Sequence, residues 1–102
     1  MSEVVVTDNP AASRYEAQVD GQLAGYAVYD RGPGRISFVH TIVEPEFEGR
    51  GIAGALARHS LDAARAAGDD AVPLCPYYAG WIRRHQDYLD IVAAEHRHEV
   101  TV

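Results

Sequence analysis

The chain has 102 residues, of which 47% are hydrophobic, and a formal net charge of −6 with no lysine. This length suits one domain with a single hydrophobic core and is too short for two. The acidic balance, with a sequence pI near 5.2, opposes binding to a phosphate backbone and excludes nucleic acid from the partners we expect.

The chain carries one cysteine, Cys75, which leaves no partner for an internal disulfide and suits a reducing compartment. The first residues, Met1-Ser2-Glu3-Val4, contain neither a basic residue nor an apolar run of signal-peptide length. No later stretch is apolar enough to span a bilayer. We therefore expect residues 1–102 to form one cytoplasmic domain that does not bind a membrane.

The first part of the chain predicts antiparallel strands. Three consecutive valines favour a strand over Glu3–Thr7. Apolar and polar residues alternate over Arg14–Asp20, as expected of a strand with one buried face. Asp20-Gly21 then predicts a tight hairpin that returns the chain into a third strand, Leu23–Tyr29.

A fourth strand is predicted over Arg35–Val43. Regular alternation would put Ile36, Phe38, His40 and Ile42 on one face of this strand. Both of its faces are largely apolar, so the strand should lie near the centre of the sheet.

The stretch Val43–Leu56 joins this strand to a predicted helix, and it contains Gly49, Gly51 and Gly54. The first turn of a helix leaves N–H groups unpaired and carries a partial positive charge, which attracts anions. Glycines allow a phosphate to approach the main chain without meeting a Cβ atom. The stretch is therefore a candidate pyrophosphate site, and the alternative is a structural turn with no ligand.

Two common phosphate motifs do not fit this stretch. A Walker P-loop needs a Gly-Lys-Ser/Thr step, and the chain has no lysine. The spacing Gly49-x-Gly51-x-x-Gly54 matches the bare Rossmann pattern. However, the preceding strands are predicted to be antiparallel, and no acidic residue ends a following strand.

The second part of the chain predicts a helix, a strand and a helix. The first helix covers Gly51–Ala67 and ends at Gly68. Its inner stripe is expected to consist of Ile52, Leu56, Ser60, Ala63 and Ala67. A short strand, Ala71–Leu74, follows. The second helix is predicted from the spacing of Tyr78, Trp81, Ile82 and His85. The polar tail, Ala93–Val102, is expected to fray or to form an edge element.

This element order predicts an α+β fold, with a mostly antiparallel mixed sheet and two helices. The segment Gly49-Arg50-Gly51-Ile52-Ala53, preceded by Val43-x-Pro45-x-Phe47 and followed by Leu56, resembles the acyl-CoA-binding motif of the GNAT N-acetyltransferase superfamily. The element order is also that of the GNAT core. GNAT members usually carry additional helices between their first two strands, where this chain has only Pro10–Ser13. The chain also has Glu48 where the superfamily usually has Gln or Arg.

The resemblance extends to a short GNAT-like subfamily of uncharacterised single-domain N-acetyltransferases. After the glycine motif, its pattern runs Cys-Pro-Tyr, an aromatic-Ile pair and Arg-His-Pro-Glu-Tyr. This chain has Cys75-Pro76-Tyr77, Trp81-Ile82, Arg84-His85 and Tyr88, with Gln86-Asp87 in place of Pro-Glu. The match covers about Tyr15 to Tyr88.

The resemblance implies that acetyl-CoA is the cosubstrate, that no metal takes part, and that the acceptor is an amine. Main-chain amides of the glycine motif would hold the pyrophosphate, and the backbone of Ile42 and Val43 would pair with pantetheine. The residues expected to bind the cofactor are Ile42, Val43, Gly49, Arg50, Gly51, Ile52, Ala53, Gly54, Tyr77 and Arg84. The alternative for Arg84 is a position on the solvated face of the second helix.

Two side chains are candidates for the chemistry. His40 lies on the strand that leads into the glycine motif, and an imidazole can act as a base near neutral pH. The alternative for His40 is a core histidine between Phe38 and Ile42. Cys75 follows the strand after the first helix, near which the resemblance places the thioester, so it could carry the acetyl group or protonate the leaving thiolate. The alternative for Cys75 is a small buried hydrophobe. Members of the short subfamily have been read as using a cysteine and a histidine.

The sequence therefore predicts an acetyl-CoA-dependent N-acetyltransferase for an unidentified amine, present as a monomer or a homodimer. The alternative function is a CoA-binding or protein-interaction module without turnover, which the missing helices and Glu48 favour. His85, His96 and His98 do not have the spacing of a zinc site.

Overall fold

The computed structural model describes residues 3–102. The strands are β1 (Val4–Asn9), β2 (Arg14–Val19), β3 (Gln22–Gly32), β4 (Arg35–Val43) and β5 (Asp70–Pro73), and the α-helices are α1 (Ile52–Ala67) and α2 (Pro76–Arg84). Short 3₁₀ turns cover Pro10–Ala12, Pro45–Phe47, Gln86–Ile91 and Ala94–Glu99. Each predicted strand and helix is present, with its bounds shifted by a few residues. No helix in the described part of the chain is long and apolar enough to cross a membrane.

The strands form one sheet in the order β1-β2-β3-β4-β5. The first three pairings are antiparallel, whereas β4 and β5 are parallel and are joined by α1 as a crossover helix. An isolated bridge also joins Ala71 of β5 to Val92. This arrangement confirms the predicted α+β fold with its mixed sheet, and β4 lies between two other strands as expected.

Both α-helices and the inner residues of the sheet share one buried apolar cluster. On α1 the buried residues are Ile52, Leu56, Ala57, Ser60, Leu61 and Ala64. The predicted stripe is therefore wrong in its second half, because Ala63 is only partly buried and Ala67 is exposed. The apolar face of a helix that covers a sheet is wider than a single row of residues, which brings Ala57 and Leu61 inside.

One contact chain joins β4, α2 and α1 in the core. The Phe38 ring stacks on the Tyr78 ring with centroids 4.4 Å apart. The Tyr78 hydroxyl lies 2.7 Å from Ser60 Oγ, and Ser60 in turn donates to the Ala57 carbonyl. Burial raises the pKa of Tyr78 well above its ordinary range, so this hydroxyl stays protonated and donates to Ser60.

The C-terminal tail is held against the body of the protein. Of the two expectations for Ala93–Val102, fraying is therefore wrong, and in place of an edge strand the tail forms the 3₁₀ turn Ala94–Glu99. Val100 is fully buried, and its carbonyl accepts a hydrogen bond from Gln86 Nε2 at 2.8 Å. Arg83 donates from two nitrogens to the Glu99 carbonyl. These bonds satisfy the main-chain groups of a tail whose side chains are mostly polar, which its sequence alone does not indicate.

Candidate functional site

The glycine motif forms a tight turn at the start of α1. Phe47 is buried and anchors the short 3₁₀ turn that precedes it. Gly49 and Gly51 then have φ angles of +78° and +76°, which L-residues with a side chain adopt only at a cost. Gly51 directly precedes α1, so its conformation sets the direction in which the helix begins.

The main-chain N–H groups from Gly49 to Gly54 donate to no acceptor among residues 3–102. The first main-chain bond that closes a turn of α1 runs from the Ala55 N–H to the Gly51 carbonyl, at 3.0 Å. Free donors at the start of a 16-residue helix, whose dipole adds positive potential, are suited to bind an anion.

A glycine in β3 allows this turn to lie close to the sheet. A Cβ atom on Gly25 would lie 2.6 Å from the Ile42 carbonyl oxygen and 3.0 Å from Ile52 Cγ2. Next to it, the Ala24 carbonyl accepts a hydrogen bond from the Glu44 N–H at 2.8 Å. Sequence reasoning missed Gly25, although an isolated glycine inside a strand is a signal of close backbone approach.

The parallel strands β4 and β5 separate just before the turn. Their pairing ends with Phe38 opposite Pro73, and the last hydrogen bond runs from the Cys75 N–H to the Phe38 carbonyl at 2.8 Å. From Val39 to Val43, β4 has no strand partner on this side among the described residues. An open strand edge therefore leads towards the glycine turn.

Alternation along β4 decides which main-chain groups face this open edge. The Glu44 N–H donates to Ala24 in β3. Main-chain groups alternate along a strand, so the N–H and C=O groups of Ile42 also point to β3. Those of Thr41 and Val43 point to the open side. Of the two residues expected to pair with pantetheine, Val43 therefore lies at the open edge and Ile42 does not.

A β-bulge at Val39 changes which face His40 occupies. Phe38 pairs with Tyr29, whereas His40 pairs with Val28, so β4 has one extra residue between these pairs. The side chains of the neighbours Val28 and Tyr29 point to opposite faces of the sheet. Paired residues share a face, so the side chains of their partners His40 and Phe38 also point to opposite faces. The expected shared face of Phe38 and His40 is therefore wrong: Phe38 is buried under the helices, and His40 is exposed on the outer face of the sheet.

Cys75 lies directly before α2 and is 4% exposed. The bulge turns Thr41 towards the buried side, where its Oγ1 atom lies 3.3 Å from Cys75 Sγ. The structure thus brings Cys75 together with Thr41, which sequence reasoning missed, and places His40 on the other face of β4. Their catalytic roles stay predictions.

Two polar side-chain atoms of α2 face the first turn of α1. A Cβ atom on Gly54 would lie 3.6 Å from the Tyr77 hydroxyl and 3.9 Å from Trp81 Nε1. Trp81 also stacks on His85, with ring centroids 3.8 Å apart. Tyr77 was expected at the cofactor, and the structure places it beside the glycine turn together with Trp81.

Arg50 and Arg84 form no hydrogen bond or ion pair with any other group of residues 3–102. The guanidinium of Arg50 lies 5.4 Å from the centre of the Phe47 ring. The remaining arginines bond to a carboxylate, a hydroxyl or a carbonyl. These two arginines, both expected at the cofactor, are therefore exposed cations that remain available to a ligand.

Two surface depressions are lined by residues other than Gly49 to Gly54. One is lined by Gln86, Asp87, Leu89, Asp90 and Arg97. The other lies between β1 and α1 and is lined by Val4, Val6, Ala55, Arg58, His59 and Asp62. Within the described residues, no group of three or more His, Cys, Asp or Glu side chains is placed to hold a metal ion.

A family model described as GCN5-related N-acetyl-transferase matches residues 14–91, which is more than half of the chain. The match includes the bulge in β4, the glycine turn, α1, β5 and α2. No curated protein matches the chain.

Proposed function

The chain belongs to the GCN5-related N-acetyltransferase family, and from this premise we propose that it transfers an acetyl group from acetyl-CoA to an amine. The observation that carries the proposal is the run of free main-chain amides from Gly49 to Gly54. Such amides at a helix N-terminus suit a pyrophosphate, and acetyl-CoA contains one. Arg50 and Arg84 supply positive charge in a chain whose net charge is −6.

The open edge of β4 supports a position for the pantetheine arm. Pantetheine contains amide N–H and C=O groups, and the main-chain groups of Thr41 and Val43 face the open edge. An unpaired strand edge binds an extended polar chain in the way that it binds another strand. The thioester then reaches the point where β4 and β5 separate, next to Cys75.

The simplest chemistry is direct transfer. The amine nitrogen forms a bond to the thioester carbonyl carbon, the carbon–sulfur bond breaks, and the nitrogen loses a proton. The CoA sulfur leaves with the electrons of the broken bond and takes up a proton. An enzyme speeds this step mainly by holding the two reactants in line and by stabilising charge on the carbonyl oxygen.

A relay through Cys75 is the second route. The Cys75 sulfur bonds to the carbonyl carbon, and CoA leaves as the thiol with the proton that Cys75 gave up. The amine nitrogen then bonds to the carbonyl carbon of the acetyl-cysteine, the bond from that carbon to the Cys75 sulfur breaks, and the thiol is restored by the proton that the nitrogen loses. The Thr41 hydroxyl at 3.3 Å supports this route, since it restricts where the Cys75 sulfur points.

His40 has a different position from Cys75 and so takes a different role in the proposal. It is exposed on the outer face of the sheet, which leaves it free to accept the proton of an amine that approaches from solvent. An amine held as its ammonium form cannot attack, so a nearby base raises the fraction that reacts.

The alternative is a CoA-binding or protein-interaction module without turnover. The position of His40 on the face opposite Thr41 favours it, because no base contacts Cys75 in the described structure. The carboxylate of Glu48 in the glycine turn also favours it, because that charge opposes a phosphate. Under this alternative the protein still binds CoA and does not use it.

Native mass spectrometry of the purified protein with acetyl-CoA tests the proposal, with Cys75→Ala and His40→Ala beside the wild type. A one-to-one complex supports the cofactor site. An added acetyl group on the wild type but not on Cys75→Ala indicates the relay. Transfer to an amine without that adduct indicates direct transfer.

Two outcomes would contradict the proposal. The acceptor panel consists of cationic peptides and polyamines, chosen because the protein is acidic. If CoA binds but neither an acetyl adduct nor transfer to any of these amines is found, the protein is the module without turnover. If no complex forms, the glycine turn is structural and the acetyltransferase proposal fails.

A further inference from the structure

Trp81 carries a hydrogen-bond donor for which residues 3–102 supply no acceptor. The residue is 4% exposed, and its indole N–H makes no hydrogen bond within residues 3–102. Every fully buried side-chain nitrogen or oxygen in the described part of the chain has a hydrogen-bond partner. Trp81 Nε1 has none, so this atom belongs to the small part of the residue that remains exposed. A tryptophan packed this tightly is held in one orientation, and its N–H usually finds an acceptor.

The space in front of this N–H is the first turn of α1. The missing Cβ of Gly54 would lie 3.9 Å from Trp81 Nε1 and 3.6 Å from the Tyr77 hydroxyl. The Tyr77 hydroxyl also lacks a hydrogen-bond partner among the described residues. Two unused side-chain donors, four residues apart on one face of α2, therefore face the place where the free amides of Gly49 to Gly54 begin the helix.

We propose that Tyr77 and Trp81 form a pair of side-chain donors to an anionic oxygen of a pyrophosphate held at the start of α1. This deepens the proposed function, on which it rests, by adding Trp81 to the cofactor site. An oxygen bound by both donors lies about 2.7–3.2 Å from each, in the space that the missing Gly54 side chain leaves open. The indole is a donor only, so it suits an acceptor such as a phosphate oxygen.

In this proposal, Gly54 leaves room for the bound oxygen because it has no side chain. A methyl group there would make ordinary contacts with Tyr77 and Trp81, so it would not disturb the fold. It would crowd an oxygen that is bound between the two donors. Gly54→Ala should therefore keep or raise the melting temperature, because alanine favours a helix over glycine, and still weaken binding of the ligand.

The direct test is the indole N–H signal in a ¹H–¹⁵N NMR spectrum, since Trp81 is the one tryptophan of the chain. CoA and inorganic pyrophosphate should each shift this signal, and pantetheine should not.

Calorimetry of variants is the second test. Trp81→Phe and Tyr77→Phe should each weaken the binding of CoA and of pyrophosphate about tenfold or more, as expected for the loss of a hydrogen bond to a charged group. Gly54→Ala should weaken both ligands, while Ala66→Gly exchanges the same two residue types at an exposed position of α1 and should leave ligand binding unchanged.

The outcomes separate this inference from the proposed function. If CoA binds to Trp81→Phe and Tyr77→Phe as it does to the wild type, the donor pair is wrong and the acetyltransferase proposal stands. If pantetheine moves the indole signal and pyrophosphate does not, the donors contact the other arm and the inference is wrong. If pyrophosphate binds through Trp81 but acetyl-CoA is not used, the donor pair stands and the acetyltransferase proposal fails. Circular dichroism on each variant confirms that folded protein is compared.

Discussion

Thr41 and Cys75 meet where β4 and β5 separate, with Oγ1 3.3 Å from Sγ. They are 34 residues apart in the chain, and the β-bulge at Val39 is what turns Thr41 towards the cysteine. A hydroxyl at this distance restricts the rotation of the thiol and stabilises charge that develops on it.

Replacing Thr41 with valine removes this hydroxyl at nearly constant shape. If Cys75 takes part in the reaction, Thr41→Val should slow acetyl transfer about two- to tenfold, which is the range for one lost hydrogen bond. Thr41→Ser keeps the hydroxyl and should retain most of the rate. In a Cys75→Ala background, Thr41→Val should have no further effect, and an equal loss there would show that Thr41 acts independently of the thiol.

Replacing Gly25 with alanine should destabilise the protein. Its Cβ would lie 2.6 Å from the Ile42 carbonyl oxygen in β4 and 3.0 Å from Ile52 Cγ2 in α1, so β3 must shift away from both elements, at a cost of about 1–3 kcal/mol. Urea unfolding measures this loss. Gly32→Ala is the matched control, because a Cβ there meets nothing within 4 Å, and equal stabilities of the two variants would contradict the prediction.

Replacing Gly51 with alanine separates binding from backbone strain. Gly51 has φ +76°, so the variant should lose about 1–2 kcal/mol of stability and bind acetyl-CoA much more weakly, because the turn that positions the free amides is distorted. Gly21→Ala is the matched control, since Gly21 has φ +78° in a hairpin far along the chain from the turn. Calorimetry should find normal acetyl-CoA binding for Gly21→Ala. Normal binding by Gly51→Ala would contradict the assignment of the glycine turn as the pyrophosphate site.

The buried Tyr78 should make the protein sensitive to alkali. Burial raises its folded-state pKa above the ordinary value of about 10, so between these values the unfolded chain gives up a proton that the native protein keeps. Stability is therefore unaffected below about pH 10 and falls above it, by about 1.4 kcal/mol per pH unit for this residue.

Urea unfolding as a function of pH checks this prediction. Tyr78→Phe should reduce the loss of stability above pH 10 without removing it, because burial also raises the pKa of Tyr15 and Tyr29. Tyr26→Phe changes a hydroxyl that the helices do not cover and serves as the control. An unchanged pH dependence in Tyr78→Phe would mean that Tyr78 ionises as readily in the native protein as in the unfolded chain.

Much of the fold followed from local patterns in the sequence. The alternation over Arg14–Asp20 and the Asp20-Gly21 turn depend on neighbouring residues, and β2 and β3 form there as predicted. The glycines of the turn before α1 were recognised from their spacing ahead of a predicted helix, and the structure adds that Gly49 and Gly51 have positive φ angles.

Local sequence patterns did not predict where the catalytic candidates lie relative to one another. A single extra residue at Val39 reverses the faces of His40 and Thr41, and only the register between β3 and β4 reveals it. The free donor of Trp81 likewise depends on how α2 crosses the first turn of α1.

By itself, the sequence determined the α+β element order, the glycine turn and the family, because these depend on spacing along the chain. The tertiary structure alone decided that Cys75 meets Thr41, that Gly25 supports the turn, and that Tyr77 and Trp81 face Gly54. Each of these is a distance between atoms of distant segments, which strand register and helix packing determine.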